Sequence, residues 1–127
     1  MLRFDDVLEL KPQPVKKGEF VIDAMGPLDR SEEDMIELCA WIFQRGDHDA
    51  AATEMTTGHD HETAHGEHLE FSKDSHGRDR WTLPLRQVGD KPLEVGDAFG
   101  VAVAMMRMKK QKDQQRVIWW GHPVTLI

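Results

Sequence analysis

Histidines and carboxylates are concentrated in one short stretch in the middle of the chain. The segment GHDHETAHGEH, residues 58–68, contains four of the seven histidines, which are His59, His61, His65 and His68. Residues 47–68 also contain six carboxylates and no lysine or arginine. Imidazole nitrogen and carboxylate oxygen are ligands that zinc, nickel and copper accept, and local negative charge attracts cations. The pattern predicts a site for a divalent metal such as zinc, nickel or copper, and it indicates no other cofactor.

The spacing of these histidines is compatible with two local conformations. In an extended segment His59 and His61 point to the same face. In a helical turn His61, His65 and His68 align at i, i+4 and i+7, although Gly66 opposes a regular helix there. Either conformation brings at least two imidazoles together. Further candidate ligands are Glu62, Glu67 and His48.

Two other interpretations of this segment need no metal. Polar loop residues are often simply hydrated, and a histidine-rich loop is then passive. Alternatively, full protonation of the seven histidines would offset the formal charge of −7, so mild acid could change association. All three interpretations are compatible with the residues.

Trp119 and Trp120 provide a second candidate surface. They are consecutive, so in a strand one ring faces inward and the other faces the opposite side. An exposed indole can contact a small ligand or another protein. On this alternative the chain is an interaction module with a passive histidine-rich loop. A second copy of the chain is one candidate partner, because residues 107–116 are basic in an otherwise acidic protein.

Composition excludes several classes of partner. A chain of 127 residues fits a single domain, 1–127. The net charge of −7 disfavours nucleic acid, and no apolar run approaches the ~20 residues that cross a bilayer.

The N-terminus lacks the layout of a secretory signal, and the single cysteine, Cys39, fits a reducing compartment. We therefore expect a cytoplasmic protein.

Catalytic signatures are absent from the sequence. It contains no GxSxG elbow, glycine-rich phosphate loop, CxxC pair or HExxH helix motif. We therefore assign no catalytic residue and expect a binding protein rather than an enzyme.

Alternating apolar residues predict mainly strands. The clearest are at 2–10, 80–87, 99–108 and 117–127, and the strand at 99–108 has apolar residues on both faces, which is typical of a central strand. About seven strands at near-regular spacing predict an all-β antiparallel sandwich, immunoglobulin-like, or a small barrel. The polar segment at about 46–67 is expected to leave this framework.

The segment RSEEDMIELCAWIFQRG, residues 30–46, fits two structures. Ser31 followed by Asp34 resembles a helix cap, and a helix at about 32–45 would make the fold α+β. Against this, Ile36, Leu38 and Ile42 share one parity, and bulky β-formers crowd residues 36–43. We favour a long strand with two buried faces.

Overall fold

The described part of the chain consists mainly of β-strands. The computed structural model describes residues 3–10, 14–26, 28, 34–58, 62–109 and 113–127. Two short helices are present, α1 (Phe4–Val7) and α2 (His48–Thr57). The strands are β1 (Leu8–Leu10), β2 (Val21–Ala24), β3 (Asp34–Gln44), β4 (Ala64–Glu67), β5 (Glu70–Lys73), β6 (Asp79–Thr82), β7 (Gln87–Val88), β8 (Lys91–Pro92), β9 (Ala98–Lys109) and β10 (Asp113–Thr125). Neither helix in these ranges is long and apolar enough to cross a membrane.

Two four-stranded antiparallel sheets pack face to face. The first has the order β1-β2-β6-β5 and the second β10-β9-β3-β4, while β7 and β8 pair separately. One apolar cluster joins them, with Ile22 and Trp81 from the first sheet and Ile42, Val101 and Val103 from the second. This confirms the predicted all-β antiparallel sandwich. Ten strands are described against about seven predicted, because β4, β7 and β8 are short and lack apolar alternation.

β3 shows that the ambiguous segment is a strand and that the alternative helix at about 32–45 is wrong. Four side chains of β3 pack in the cluster between the sheets, namely Ile36, Leu38, Ala40 and Ile42. Trp41 and Phe43 lie on the other face of the strand, where α2 covers them. Because apolar residues occupy both faces, a helix with a single apolar stripe would leave half of them exposed.

β9 is the central strand that the alternation predicted. Its inner face is fully buried and consists of Phe99, Val101, Val103 and Met105. Its outer face has small residues, and a Cβ atom added to Gly100 would lie 2.2 Å from the ring of Phe43. The glycine is therefore what allows this ring to pack directly on the strand.

The strand predicted from residue 2 begins later than expected. Residues Phe4–Val7 form one helical turn, and β1 covers only Leu8–Leu10. In a continuous strand Asp6 would share the buried face of Phe4 and Leu8. The helical turn leaves Asp6 exposed while Phe4 stacks against Trp119 at a centroid distance of 6.4 Å. The cost of burying an aspartate therefore outweighs the alternation here.

α2 lies in the polar segment where no helix was predicted. The Asp47 side chain accepts a hydrogen bond from the Ala50 amide at 3.3 Å and caps the first turn. Gly58 ends the helix in the left-handed conformation, with φ of 73°. Between these caps Ala51 packs against Phe43 on the outer face of β3. The helix therefore forms in spite of the polar composition of the segment, because both of its ends are capped and a run of alanines favours it.

Asp74 organises the turn between β5 and β6. Its Oδ1 accepts hydrogen bonds from the backbone amides of Arg78 and His76, and its Oδ2 accepts one from Nε of Arg78 at 2.8 Å. These bonds, led by the one from the Arg78 amide, lower the pKa of the Asp74 carboxyl from 3.8 to about 2. The turn therefore prefers the ionised carboxylate.

Asp74→Asn should reduce stability at neutral pH and do so less in acid. The folded-state pKa of about 2 is below the ordinary 3.8, so the carboxylate stabilises the fold above about pH 4 and loses this contribution as the pH falls toward 2. Urea unfolding of both proteins at pH 7, 4 and 2.5 measures the difference. A difference that stays constant across these pH values would contradict this role.

Candidate binding groove

A groove of about 450 Å³ lies at the sheet edge where β4 leaves β3. β9 pairs with β3 over residues 34–44, whereas β4 pairs only with residues 40–43. After Glu67 the chain passes through two residues into β5, which belongs to the other sheet. The groove therefore passes over the edge of β3 and has an inner and an outer wall.

The inner wall is apolar and belongs to the space between the two sheets. It contains Leu38 and Ala40 of β3, Leu69, Phe71 of β5 and Trp81 of β6. The rings of Phe71 and Trp81 meet edge to face at a centroid distance of 5.7 Å. Trp81 is buried, whereas Phe71 is 48% exposed. The exposed phenylalanine beside the buried tryptophan gives the inner wall an accessible apolar surface, to which a ligand can bind.

The outer wall is formed by β3, α2 and β4. Trp41 of β3 and Glu54 of α2 both reach Gly66 of β4. A Cβ atom at Gly66 would lie 3.0 Å from Oε1 of Glu54 and 3.7 Å from Nε1 of Trp41. The absence of a side chain at residue 66 therefore allows an indole and a carboxylate to sit together on this wall.

The groove has a negative electrostatic character. Its described lining includes the acidic residues Glu54 and Glu67 and no lysine or arginine. Glu54 is only 4% exposed, and a buried carboxyl group is stabilised in its ionised form by a cation beside it. Gly58, where α2 ends, also lines the groove, and a helix C-terminus carries partial negative charge. These features together favour a cationic ligand.

Cys39 also lines the groove, but its thiol stays protonated. Burial raises the pKa of Cys39, the nearby Glu37 carboxylate raises it further, and Arg116 opposes both. A protonated thiol is a poor nucleophile and a poor metal ligand. We therefore assign Cys39 to the wall of the groove rather than to chemistry.

The four histidines predicted as metal ligands fall into three situations. His59 and His61 lie outside the described residues. His68 is exposed and lines the groove. His65 is buried in β4, 5% exposed. Within the described ranges, no three histidine, cysteine, aspartate or glutamate side chains form a group that could hold a metal ion.

His65 uses both ring nitrogens within the fold. Its Nδ1 accepts a hydrogen bond from the amide of Gly89 at 3.0 Å, and its Nε2 lies 3.3 Å from Oε2 of Glu67. An Nδ1 that accepts carries no proton, so this contact selects the neutral tautomer with the proton on Nε2. Metal coordination through His65 would break one of these contacts. The residue instead fastens β4 to the β7–β8 turn.

The other candidate ligands have separate places in the structure. His48 begins α2 and contacts the rings of Phe43 and Trp120, with centroid distances of 4.9 and 5.6 Å. Glu62 has an exposed side chain, and its carbonyl accepts a hydrogen bond from the Asp90 amide at 3.2 Å. Of the three further candidates, Glu67 alone lines the groove.

The two consecutive tryptophans face opposite sides, as predicted. Trp119 packs against the core between the sheets and contacts Phe4 and Phe20. Trp120 lies on the outer face, is 40% exposed and meets the ring of Phe43 edge to face. Trp120 therefore presents a partly exposed indole, but it is not among the residues that line the groove.

The sequence did not single out the principal residues of the groove. Trp41, Phe71 and Trp81 carried no signal beyond that of apolar residues in strands, and Glu54 was one of many acids. A usable signal was the run AAATEM between Asp47 and Gly58, because these two caps would have predicted the helix that carries Glu54.

Comparisons of the chain with models of protein families, with curated proteins and with solved structures found no match. The function is therefore inferred from the geometry of the groove.

His65→Ala should lower the free energy of unfolding by about 1–3 kcal/mol, because the buried Gly89 amide loses its acceptor. His65→Asn should recover much of this loss, since the amide Oδ1 occupies nearly the position of Nδ1. Urea denaturation of the three proteins at pH 7 provides the measurement. An equal loss in both variants would show that the Gly89 hydrogen bond does not stabilise β4.

Proposed function

We propose that this domain is a binding module that holds an organic cation, an ammonium or guanidinium group on an apolar chain, in the groove at the β3 edge. The observation that carries this proposal is the described lining, which combines three aromatic rings and two carboxylates with no lysine or arginine. Aromatic faces and carboxylates both attract cations. A ligand that contacts them through its charged group can still place an apolar chain on the inner wall of the groove.

The outer wall supplies the recognition of charge. Trp41 and Glu54 approach the same point beside Gly66, so a cation there would meet an indole and a carboxylate together. The carboxylate of a buried glutamate acts in a medium of lower dielectric constant than water, which strengthens its attraction for a cation. A neutral ligand of the same shape would lack the attraction between opposite charges and the cation–π contact, so it would bind more weakly.

The inner wall supplies the contact for an apolar chain. Leu38, Leu69 and Phe71 present hydrocarbon surface next to the acidic corner formed by Glu67. Covering such surface removes it from water, which contributes favourably to binding. A ligand with a charged head and an alkyl stem therefore matches both walls at once.

A second depression, of about 360 Å³, lacks this complementarity. It lies near the β7–β8 hairpin, and its described lining includes Arg45, Lys91 and Asp97 but no aromatic ring. Charges of both signs give it no preference for a cation. The groove at the β3 edge is therefore the better-supported site.

Trp41→Leu should weaken the binding of n-butylguanidinium, measured by isothermal titration. A cation–π contact contributes about 0.5–2 kcal/mol, so Kd should rise by about 2- to 30-fold. Trp120→Leu is the matched control, because Trp120 also lies on the outer face of this sheet but does not line the groove. If Trp120→Leu weakens binding and Trp41→Leu does not, the exposed Trp120 face is the site instead.

Two further comparisons separate recognition of charge from recognition of shape. n-Butylurea, a neutral analogue, should bind more weakly than n-butylguanidinium, and Glu54→Gln should reduce this preference. Glu70→Gln is the control, since the Glu70 side chain is 64% exposed on β5. Equal affinity for the urea and the guanidinium would show that the groove does not select cations. Slower alkylation of Cys39 in the presence of ligand would place the ligand in this groove.

A divalent metal is the second candidate ligand, and one observation favours it. The groove brings Glu67 and His68 together with Gly58, the residue that directly precedes His59. We propose His59, His61 and His68 as the ligands on this alternative, with Glu67 beside them. His65 then holds β4 in place, because its ring nitrogens are engaged with Gly89 and Glu67.

Zinc should raise the melting temperature of tag-free protein if this second candidate is correct. The linkage relation gives about 2.7 kcal/mol of stabilisation when zinc is present at 100 times its Kd. Replacing His59 and His61 together with alanine should abolish the rise, whereas His76→Ala, in the β5–β6 turn, should retain it. Stabilisation that persists unchanged in the double variant would exclude these ligands.

A further inference from the structure

Among the described strands, none lies beside one side of β3 next to the groove. β9 accompanies β3 along its whole length, but β4 ends opposite Ala40. In the described part of the chain, no strand pairs with residues 34–39 on the β4 side. Since Leu38 and Cys39 line the groove, this uncovered stretch of backbone borders it directly.

The register identifies which backbone groups face the uncovered side. The Gln44 amide donates a hydrogen bond to the Thr63 carbonyl at 2.7 Å, so residue 44 directs its backbone groups toward the β4 side. Backbone groups alternate along a strand, and the β3–β9 register has no shift from residue 34 to residue 44. Leu38 and Ile36 therefore direct their amide and carbonyl groups toward the β4 side, where Leu38 lines the groove, whereas Glu37 and Cys39 direct theirs toward β9.

The two walls of the groove match the two faces of an added strand. Successive side chains of a strand point to opposite faces. A strand paired with residues 36–38 would place alternate side chains on the inner wall, near Leu38 and Phe71, and on the outer wall, near Trp41 and Glu54. The outer wall favours a basic side chain and the inner wall favours an apolar one.

We propose that the cation enters the groove as a lysine or arginine side chain of an extended peptide that pairs with the uncovered edge of β3. This inference rests on the proposed function, because it identifies the molecule that carries the cation. Backbone hydrogen bonds to Ile36 and Leu38 supply affinity, and alternating pockets supply specificity, as in other cases of strand addition. The acidic lining and the net charge of −7 favour a basic peptide over an acidic one.

Amide hydrogen exchange tests the pairing without altering the protein. The probe is the blocked peptide acetyl-STVKVTS-amide, in which valines flank a central lysine. It should slow exchange of the Leu38 and Ile36 amides. The amides of Glu37 and Cys39 are controls in the same strand, because they face β9 and are already paired. Binding without added protection at Leu38 and Ile36 would overturn the proposal.

Backbone methylation of the peptide provides a second test. N-methyl groups on alternate residues fall either on the side that faces β3 or on the opposite side. One of the two alternate sets should weaken binding by about tenfold or more, and the other should leave it nearly unchanged. Equal effects of both sets, or no effect of either, would show that the peptide does not pair as a strand.

Two outcomes distinguish this inference from the proposed function. If n-butylguanidinium binds but the peptide protects neither amide, the cation site stands and strand pairing is wrong. If a peptide with norleucine in place of lysine protects Leu38 with equal affinity, strand pairing stands and recognition of the cation is wrong. Protection of Leu38 that increases with protein concentration alone would assign the edge to a second copy of the chain, which would also overturn the proposal.

Discussion

The early end of β4 is the constraint on which the candidate site depends. The chain must cross from one sheet to the other between Glu67 and Glu70, so β4 accompanies β3 for only four residue pairs. The hydrogen bond from the Gly89 amide to His65 fixes this short strand against the β7–β8 turn. Because β4 is held there, no described strand covers the β4 side of β3 before Ala40, and the groove lies beside this edge.

The outer wall of the groove places a carboxyl group inside the fold. Glu54 is buried, and a buried ionised carboxylate requires charges or hydrogen bonds that compensate for the loss of water. Gly66 has no side chain and contributes little to β4 beyond the room it gives to Glu54 and Trp41. A glycine that weakens a strand beside a buried acid departs locally from the best packing, and the proposed binding function gives a reason for this departure.

The sequence predicted the long strands well and the site poorly. The apolar residues at 99–105 and the small outer face at Gly100 identified the central strand, because alternation directly reflects a buried sheet. α2 and β4 were not predicted, since each contributes few apolar residues to the packing. The groove depends on those two elements. Local spacing does not predict that the side chains of Glu54 and Trp41 both approach Gly66. The tautomer of His65 likewise depends on a hydrogen bond from the amide of Gly89, 24 residues away.

The single-residue cap at Gly58 links the helix to the histidine-rich segment. In the left-handed conformation, with φ of 73°, Gly58 redirects the chain immediately before His59. Any residue with a Cβ atom is strained there, so a substitution at Gly58 would disturb the end of α2 and the rim of the acidic groove together, without changing a single polar side chain.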